Sequence, residues 1–269
     1  MAYAIINGIR MHYDTAGAGD AVLLISGLSM PGAMWAPQIK ALWPHFRVIT
    51  FDNRGVGGSE GKTPDTGEAM AHDAVAFIRA LGFDQVDLLG FSLGGFVSQV
   101  IAQQEPALVR KIILAGTGPT GGKGIDNVTK LTYLDTFHAY ATFKDPKELL
   151  FFTRTAHGKS EARAFIKRLK ERTNDRDKAM AIGAFRTQLK AIHAWGLEKP
   201  ADLSRIRQPV LVANGDADRM VPSSNSYDLA QRLPNATLRI YPDAGHGGIF
   251  QAHERFIPEA LEFLGSTIS

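Results

Sequence analysis

Short apolar runs that alternate with helix-like stretches restrict the fold of this chain more than any other feature of its sequence. The runs are rich in Val, Ile and Leu and lie at Ala21–Ser26, Phe46–Phe51, Val86–Gly90, Arg110–Ala115, Pro209–Asn214 and Ala236–Tyr241. Runs of this kind are typical of strands that are buried on both faces of a parallel sheet. Apolar residues at helical spacing lie between them, at Glu68–Leu81, Leu93–Gln104, Ser223–Arg232 and His253–Leu264. The alternation predicts a doubly wound α/β sheet.

Two parts of the chain do not follow this alternation of strand-like and helix-like segments. Near the start, β-prone residues flank Asn7-Gly8, which is a strong signal for a two-residue hairpin. Between Gly116 and Lys199 there is no good strand pattern, and the helix-like segments there are Val128–Phe143, Pro146–Thr155, Glu161–Arg172 and Lys178–Ala194. A structureless loop of that length would be unusual, so we predict a helical lid instead. We expect a core domain at residues 1–115 and 200–269, with the lid at residues 116–199.

The composition excludes several classes of protein. With 45% hydrophobic and 21% charged residues the chain is typical of globular proteins, and without cysteine it can form no disulfide or thiol nucleophile. No apolar run is long enough for a transmembrane helix, and "MAYAIINGIRMHYD" lacks a signal-peptide pattern. The net charge of +3 is small, and the basic stretch Arg163–Lys178 holds apolar residues at helical spacing, as an amphipathic helix does. We expect a cytoplasmic protein without nucleic-acid or membrane partners, whose oligomeric state the sequence does not indicate.

The segment "LLGFSLGG" places a serine where a predicted strand meets a predicted helix. Ser92 lies between Gly90 and Gly94, and a sharp turn there would expose its hydroxyl at the carboxyl edge of the sheet. Ligands of open parallel sheets bind at that edge. Serine is also a favoured N-cap residue, so the motif alone leaves a structural role open.

A serine hydroxyl is a weak nucleophile without a base, and one histidine is well placed to be that base. His246 lies in the glycine-rich stretch "YPDAGHGGIF", directly beyond the last predicted strand. His253 begins the final helix and is a weaker candidate. His138 and His157 belong to the lid, where they could contact a substrate.

The base needs an acid that orients it, and the stretch "NGDADRMVP" offers two. Asp216 and Asp218 are two positions apart, so both would lie on one side of an extended chain, and periodicity cannot choose between them. Asp52 also follows a predicted strand. We expect it to hold its glycine-rich loop through side-chain-to-backbone hydrogen bonds.

Together these pieces resemble the α/β-hydrolase superfamily over nearly the whole chain. The matching motifs are "SG" at Ser26-Gly27, "FDNRGVGGS" at Phe51–Ser59, "GFSLGG" at Gly90–Gly95, "GDADRMVP" at Gly215–Pro222 and "AGHGG" at Ala244–Gly248. The chain order of serine, aspartate and histidine is that of the superfamily. The sequence is similar to small cofactor-free serine esterases and to haloperoxidase-like and lactonase-like members. The resemblance implies a mostly parallel eight-stranded sheet flanked by helices, with an inserted helical lid.

The resemblance also implies a catalytic triad. Ser92 would be the nucleophile and His246 the base. The superfamily pattern Gly-x-x-Asp-x-x-x-Pro matches Gly215, Asp218 and Pro222, so it favours Asp218 as the acid and leaves Asp216 structural. Superfamily dehalogenases and epoxide hydrolases use an aspartate nucleophile, and a serine in that place argues against both.

By the same resemblance, two backbone amides would form the oxyanion hole. One follows the nucleophile, which here is Leu93, and the other follows the residue pair after the first central strand, which here is Leu28. Ser26 stands where the superfamily commonly has histidine. We therefore expect the hydrogen bonds that hold the oxyanion hole in place to differ from those usual in the superfamily.

The activity implied is hydrolysis of a carboxylic ester or lactone of a small, moderately hydrophobic molecule, with no metal or organic cofactor. Carbon–carbon bond hydrolysis, or acyl transfer to an acceptor such as peroxide, is an alternative on the same triad. A receptor that uses the lidded pocket without catalysis is another. Most apolar lid residues are expected in the core of the lid, and we expect Phe137 and Phe143 near its entry to influence acyl-length preference.

Overall fold

A central eight-stranded sheet organises the chain in a computed structural model that describes residues 2–28, 30, 32–171 and 181–267. Its strands are β1 (Ala2–Ile6), β2 (Ile9–Ala16), β3 (Ala21–Ile25), β4 (Arg47–Phe51), β5 (Val86–Phe91), β6 (Val109–Ala115), β7 (Val210–Gly215) and β8 (Ala236–Tyr241). They are ordered β1-β2-β4-β3-β5-β6-β7-β8. The pairs from β4 through β8 are parallel, and β2 pairs antiparallel with both β1 and β4. The predicted mostly parallel sheet of eight strands is therefore confirmed.

Helices cover this sheet and connect its strands. They are α1 (Ala36–Leu42), α2 (Gly67–Ala80), α3 (Leu93–Gln104), α4 (Val128–Ala141), α5 (Pro146–Phe151), α6 (Ala156–Glu171), α7 (Ile182–Leu197), α8 (Ser224–Arg232), α9 (Gly248–Gln251) and α10 (His253–Gly265). Every residue of β3, β5 and β7 is buried, as continuous apolar runs require. The carboxyl ends of these central strands meet at one edge, where ligands of such sheets bind.

The hairpin at the start has the geometry that its sequence predicts. Asn7 and Gly8 both have positive φ angles, 51° and 78°, and Ile6 pairs with Ile9 across the turn. Two successive positive φ angles define a type I′ turn, which matches the twist of the flanking strands.

The helices α4 to α7, here called the inserted helices, lie between β6 and β7. Their bounds differ from the predicted segments for local reasons. α4 ends at Ala141 rather than at Phe143, which adopts φ 54°, a left-handed conformation that terminates helices. α6 begins at Ala156, earlier than predicted, because the Thr155 hydroxyl accepts a hydrogen bond of 3.0 Å from the Gly158 amide and caps it. Parts of the two last predicted segments fall on residues 172–180, outside the described residues.

The basic stretch of α6 has the arrangement expected of an amphipathic helix. Phe165 and Ile166 are buried, and Arg163, Lys167 and Lys170 are exposed. The remainder of the predicted stretch lies beyond the described part of α6. These three charges therefore lie on a solvated face of the helix.

The inserted helices share the hydrophobic core of the sheet. Phe151, Phe152 and Phe165 belong to the same buried cluster as the central strands. The indole of Trp195 in α7 stacks on the Phe96 ring of α3, with ring centroids 4.7 Å apart and an interplanar angle of 10°. None of the helices in the described ranges combines the length and the apolar content needed to cross a membrane.

Candidate active site

A strained turn presents Ser92 between β5 and α3. Its backbone has φ 54° and ψ −118°, a conformation that residues with a side chain rarely adopt. The neighbouring glycines allow the close packing that this turn needs: a Cβ on Gly94 would lie 1.9 Å from the Ile25 carbonyl oxygen, and one on Gly90 would lie 2.4 Å from the Gly94 carbonyl oxygen. A larger residue at Gly90 would push α3 away from β5, and one at Gly94 would push α3 away from β3.

Three hydrogen bonds hold the backbone of Ser92 in this conformation. Its amide donates to the Ala115 carbonyl at 2.9 Å, and its carbonyl accepts from the Thr117 hydroxyl and the Gly95 amide, each at 2.9 Å. Within the described structure the Ser92 hydroxyl makes no capping bond to α3. The turn therefore directs the hydroxyl away from the helix backbone.

The hydroxyl instead begins a line of three buried side chains. Ser92 Oγ lies 3.0 Å from His246 Nε2, and His246 Nδ1 lies 2.9 Å from Asp218 Oδ2. The other carboxylate oxygen of Asp218 accepts the backbone amides of Met220 and Val221 at 2.8 and 2.9 Å. Both the imidazole and the carboxylate are almost completely buried. The carboxylate is thus held with one oxygen facing the imidazole, which orients the ring toward the serine.

The other acidic candidates lie elsewhere. Asp216 is exposed, and its carboxylate accepts one long hydrogen bond, 3.4 Å, from the Ala244 amide. Asp52 accepts the Gly58 amide at 2.9 Å, as expected for a residue that holds its loop. It also contacts Nδ1 of His12, a residue of β2, at 3.0 Å, which the sequence did not predict.

The structure does not bring the other candidate histidines to Ser92. His253 Nδ1 lies 3.2 Å from the Phe250 carbonyl oxygen, at the start of α10. His138 and His157 are exposed on the inserted helices, and neither lines the cavity described below. Among the described histidines, His246 is the one in contact with the Ser92 hydroxyl.

Gln251 in α9 holds the loop that carries His246, and sequence reasoning missed it. Its Oε1 accepts the amides of Gly245 at 3.1 Å and Thr153 at 3.3 Å, and its Nε2 donates to the Thr153 hydroxyl and the Asp243 carbonyl. The side chain therefore ties the histidine loop to the segment between α5 and α6. No local motif signals the contact with Thr153, because that residue is 98 positions away in the chain.

The two predicted oxyanion-hole residues lie close to Ser92, one next to it in the chain and the other at the same cavity. Leu93 is the first residue of α3, and helix N-termini leave their first amides without intrahelical partners. Leu28 follows β3, and its side chain lines the same cavity as Ser92. The intervening Gly27 runs close to the serine, since a Cβ on Gly27 would lie 3.1 Å from Ser92 Cβ.

Ser26, which stands where the superfamily commonly has histidine, has a defined partner. Its Oγ accepts a hydrogen bond of 2.9 Å from Trp35 Nε1, and both side chains are buried. The Trp35 ring packs edge-on against Phe91 and Phe250. This bond anchors the strand end that leads to Leu28.

A cavity of about 370 Å³ opens beside Ser92 and His246. Its walls are mostly apolar and are formed by Leu28, Phe91, Ser92, Val128, Thr132, Tyr133, Thr136, Tyr140, Pro146, Lys147, Leu150, Phe151, Ile182, Phe185, Arg186, Ile192, Met220 and His246. The inserted helices supply most of these residues. Phe137 and Phe143 are not among them and are 76% and 99% exposed, so their expected place at the pocket was wrong. In α4 the turns of the helix direct Thr132 and Thr136 inward, and Phe137 outward.

The side chains around the serine do not have the composition of a metal site. Across the described ranges, no group of three His, Cys, Asp or Glu side chains is arranged to hold a metal ion. Within the described ranges, the side chains that hydrogen-bond to Ser92 are those of His246, at the hydroxyl, and Thr117, at the carbonyl.

The alpha/beta hydrolase fold family model matches residues 20–252. The chain belongs to this family. The suspected superfamily is therefore confirmed, and the chain is an α/β hydrolase. A solved structure of an alpha/beta hydrolase fold protein from Chitinophaga pinensis is 39% identical, with a TM-score of 0.92, and the match covers 99% of this chain and 97% of that chain.

Two curated relatives match over nearly their whole lengths. One, from Caulobacter sp. (strain K31), is named "Putative carbamate hydrolase RutD" and is 33% identical over 95% of this chain and 94% of its own. Another, the pimeloyl-[acyl-carrier protein] methyl ester esterase of Aliivibrio salmonicida, is 27% identical over 94% of this chain and 95% of its own. Both names describe hydrolases.

Proposed function

We propose that the protein is a serine hydrolase that cleaves a carboxylic ester or a lactone through an acyl-enzyme. The observation that carries this proposal is the buried line from Ser92 Oγ through His246 to Asp218, which ends in the cavity. A nucleophile, a base and an orienting acid within hydrogen-bond reach are what acyl transfer needs. The relative named as a methyl ester esterase supports the choice of esters.

In the first step, Ser92 Oγ attacks the carbonyl carbon and His246 Nε2 takes the hydroxyl proton. The imidazole becomes positively charged, and the Asp218 carboxylate, bonded to Nδ1, stabilises that charge. The tetrahedral intermediate collapses as His246 returns the proton to the leaving alcohol. The product of this step is an ester between the substrate acyl group and Ser92.

The backbone amides of Leu28 and Leu93 would stabilise the oxyanion of the intermediate. Donors of this kind contribute most when they are already in place before charge develops. Here the strained turn and the close approach of Gly27 hold both segments against Ser92. In the second step, His246 activates a water molecule, which releases the acid and restores the hydroxyl.

The cavity supports a small substrate with an apolar body. Its volume of about 370 Å³ lies within the range of small-molecule sites. Phe151 and Phe91 pack beside the imidazole, with ring centroids 5.8 and 5.0 Å from it, and limit the space next to the serine. The same region would exclude bulk water during the reaction.

The direct test is covalent labelling. A fluorophosphonate probe should add one adduct to the intact protein, and peptide mass spectrometry should locate it on Ser92. p-Nitrophenyl esters should give a burst of p-nitrophenol followed by steady turnover. The Ser92→Ala variant, checked for its fold by circular dichroism, should show neither.

The outcomes distinguish this proposal from its alternatives. A receptor without catalysis would show no burst and no adduct, and an alanine variant that retains most of the activity would contradict the mechanism. Product analysis with a set of esters, lactones and β-diketones separates ester cleavage from carbon–carbon cleavage. Added peroxide reveals transfer to an acceptor other than water.

A further inference from the structure

The charged side chains that line the cavity are all positive. They are Lys147, in the first turn of α5, and Arg186, in the second turn of α7. Among the described residues, no aspartate or glutamate lines the cavity with them. A mostly apolar pocket with only cationic charges favours a ligand that carries negative charge.

The two cations differ in how far they are already neutralised. Lys147 Nζ lies 3.4 Å from the carboxylate of Asp145, the residue that caps α5. Arg186 has no ion-pair or hydrogen-bond partner among the described residues, and it is exposed. Arg186 is therefore the cation whose guanidinium is free to bind a ligand, and it offers a planar pair of donors that matches a carboxylate.

The two cations are much more exposed to solvent than Ser92 and His246, which line the same cavity. Ser92 is 6% exposed and His246 is 2% exposed, whereas the side chain of Lys147 is 31% exposed and Arg186 is a surface residue. A bound molecule would thus place a neutral carbonyl at the buried end and its charge at the mouth. This arrangement avoids the desolvation that a charge next to the serine would require.

We propose that the natural substrate is an ester or lactone whose distal end carries an anionic group, of which a carboxylate is the simplest, and that Arg186 binds that group. The inference rests on the proposed function, and it deepens it by naming a substrate class. Lys147 assists to a smaller extent, because Asp145 already balances its charge. The apolar walls contact the carbon chain between the ester and the anion.

The test compares esters matched in length. Mono-p-nitrophenyl glutarate and p-nitrophenyl valerate have acyl chains with the same number of carbons, but only the first ends in a carboxylate. The quantity measured is the ratio of kcat/KM for the carboxylated ester to kcat/KM for the neutral one. We expect this ratio to exceed one in the natural protein and to fall as salt is raised from about 0.05 M to about 0.5 M, because the pair is partly exposed.

Three variants identify the residue responsible. Arg186→Met should lower the ratio about tenfold, mainly through KM of the carboxylated ester, and Lys147→Met should lower it less. Arg186→Lys should restore part of the ratio, because it returns the charge without the planar donors. Lys190→Met is the matched control: Lys190 is exposed one turn further along α7 and does not line the cavity, so the ratio should not change.

An unchanged ratio in Arg186→Met, or an equal fall in Lys190→Met, would overturn the inference. Either result would leave the proposed hydrolase intact, since both esters would still be cleaved through Ser92. If neither ester is cleaved and Ser92 takes no fluorophosphonate, the proposed function itself fails.

Discussion

At the scale of single residues, the two acids after β7 have contrasting surroundings although only one residue separates them. The Asp218 carboxylate is buried against the imidazole and receives two backbone amides, whereas Asp216 is exposed. A buried carboxylate in this position selects the histidine tautomer that carries its proton on Nδ1. That tautomer leaves Nε2 free to accept the proton of Ser92.

The pair Asp218→Asn and Asp216→Asn tests this assignment. In the first variant, a side-chain amide in place of the carboxylate would favour the opposite tautomer, so kcat should fall by roughly 10³- to 10⁴-fold. Asp216→Asn removes an exposed charge but keeps a side-chain oxygen that can accept the Ala244 amide, and kcat should stay within about threefold. Steady-state kinetics on one p-nitrophenyl ester measures both, and the reverse ranking would transfer the role of the acid to Asp216.

Buried polar contacts at this scale also stabilise the fold. Lys111 is 1% exposed, and its ammonium donates to the carbonyls of Phe263 and Leu264 at 2.7 and 2.9 Å and to Ser266. These carbonyls belong to the last turn of α10, where helices leave acceptors unpaired and favour positive charge.

Lys111→Met should therefore destabilise the protein by about 2–4 kcal/mol, because it leaves the buried Leu264 carbonyl and the half-buried Phe263 carbonyl without this donor. Urea unfolding followed by circular dichroism measures the change in the free energy of unfolding. Lys190→Met, which alters an exposed lysine, is the control and should change stability by less than about 0.5 kcal/mol. A similar stability for both variants would show that solvent replaces the ammonium at the helix end.

At the scale of elements, the inserted helices contact the cavity with some faces and solvent with others. Phe185 of α7 lines the cavity, and Phe137 of α4 is 76% exposed. Both are phenylalanines on inserted helices, so they form a matched pair for testing which helix face meets the substrate.

Phe185→Ala enlarges the cavity. Across a series of p-nitrophenyl esters that runs from acetate to decanoate, it should therefore raise kcat/KM for long acyl chains relative to kcat/KM for short ones. Phe137→Ala should leave that profile unchanged. The rate of fluorophosphonate labelling serves as a control for the integrity of Ser92. A change of profile in Phe137→Ala alone would mean that α4 turns its outer face toward the substrate.

Local patterns made the strands, the hairpin and the candidates Ser92 and His246 predictable from the sequence, whereas the choice of Asp218 over Asp216 depended on the resemblance to the superfamily. The central strands are buried on both faces, so their apolar runs have sharp ends, and Asn7-Gly8 specifies its own turn. The contacts of Gln251 could not be predicted, because its partner Thr153 is 98 residues away. The rotation of each inserted helix, which decides what lines the cavity, likewise depends on tertiary packing.

At the scale of the whole molecule, the sheet and the inserted helices have one continuous core. The stack of Trp195 on Phe96 and the burial of Phe151 and Phe165 join the two parts through side chains that are nearly inaccessible to solvent. Contacts of this kind would be lost together if either part unfolded. The inserted helices therefore gain much of their stability from the sheet.

We expect thermal unfolding in a single calorimetric transition, with calorimetric and van't Hoff enthalpies in agreement. Phe96→Ala should lower the midpoint of the whole transition, since it costs about 3–5 kcal/mol in a packed core. Two separate transitions would show that residues 116–199 unfold independently. So would a Phe96→Ala variant in which only the lower-temperature transition has a reduced midpoint.

The left-handed backbone of Ser92 implies an antagonism between activity and folding stability. Glycine adopts that conformation without steric cost, whereas serine and alanine carry a Cβ there, at a penalty of about 1–3 kcal/mol. Ser92→Gly and Ser92→Ala both lack the hydroxyl, yet the glycine variant should melt at the higher temperature, even though glycine is more flexible in the unfolded chain. Selection for the most stable fold alone would thus replace the proposed nucleophile with glycine, and under the proposed function a serine in this position marks a site where activity is retained at a cost in thermal stability.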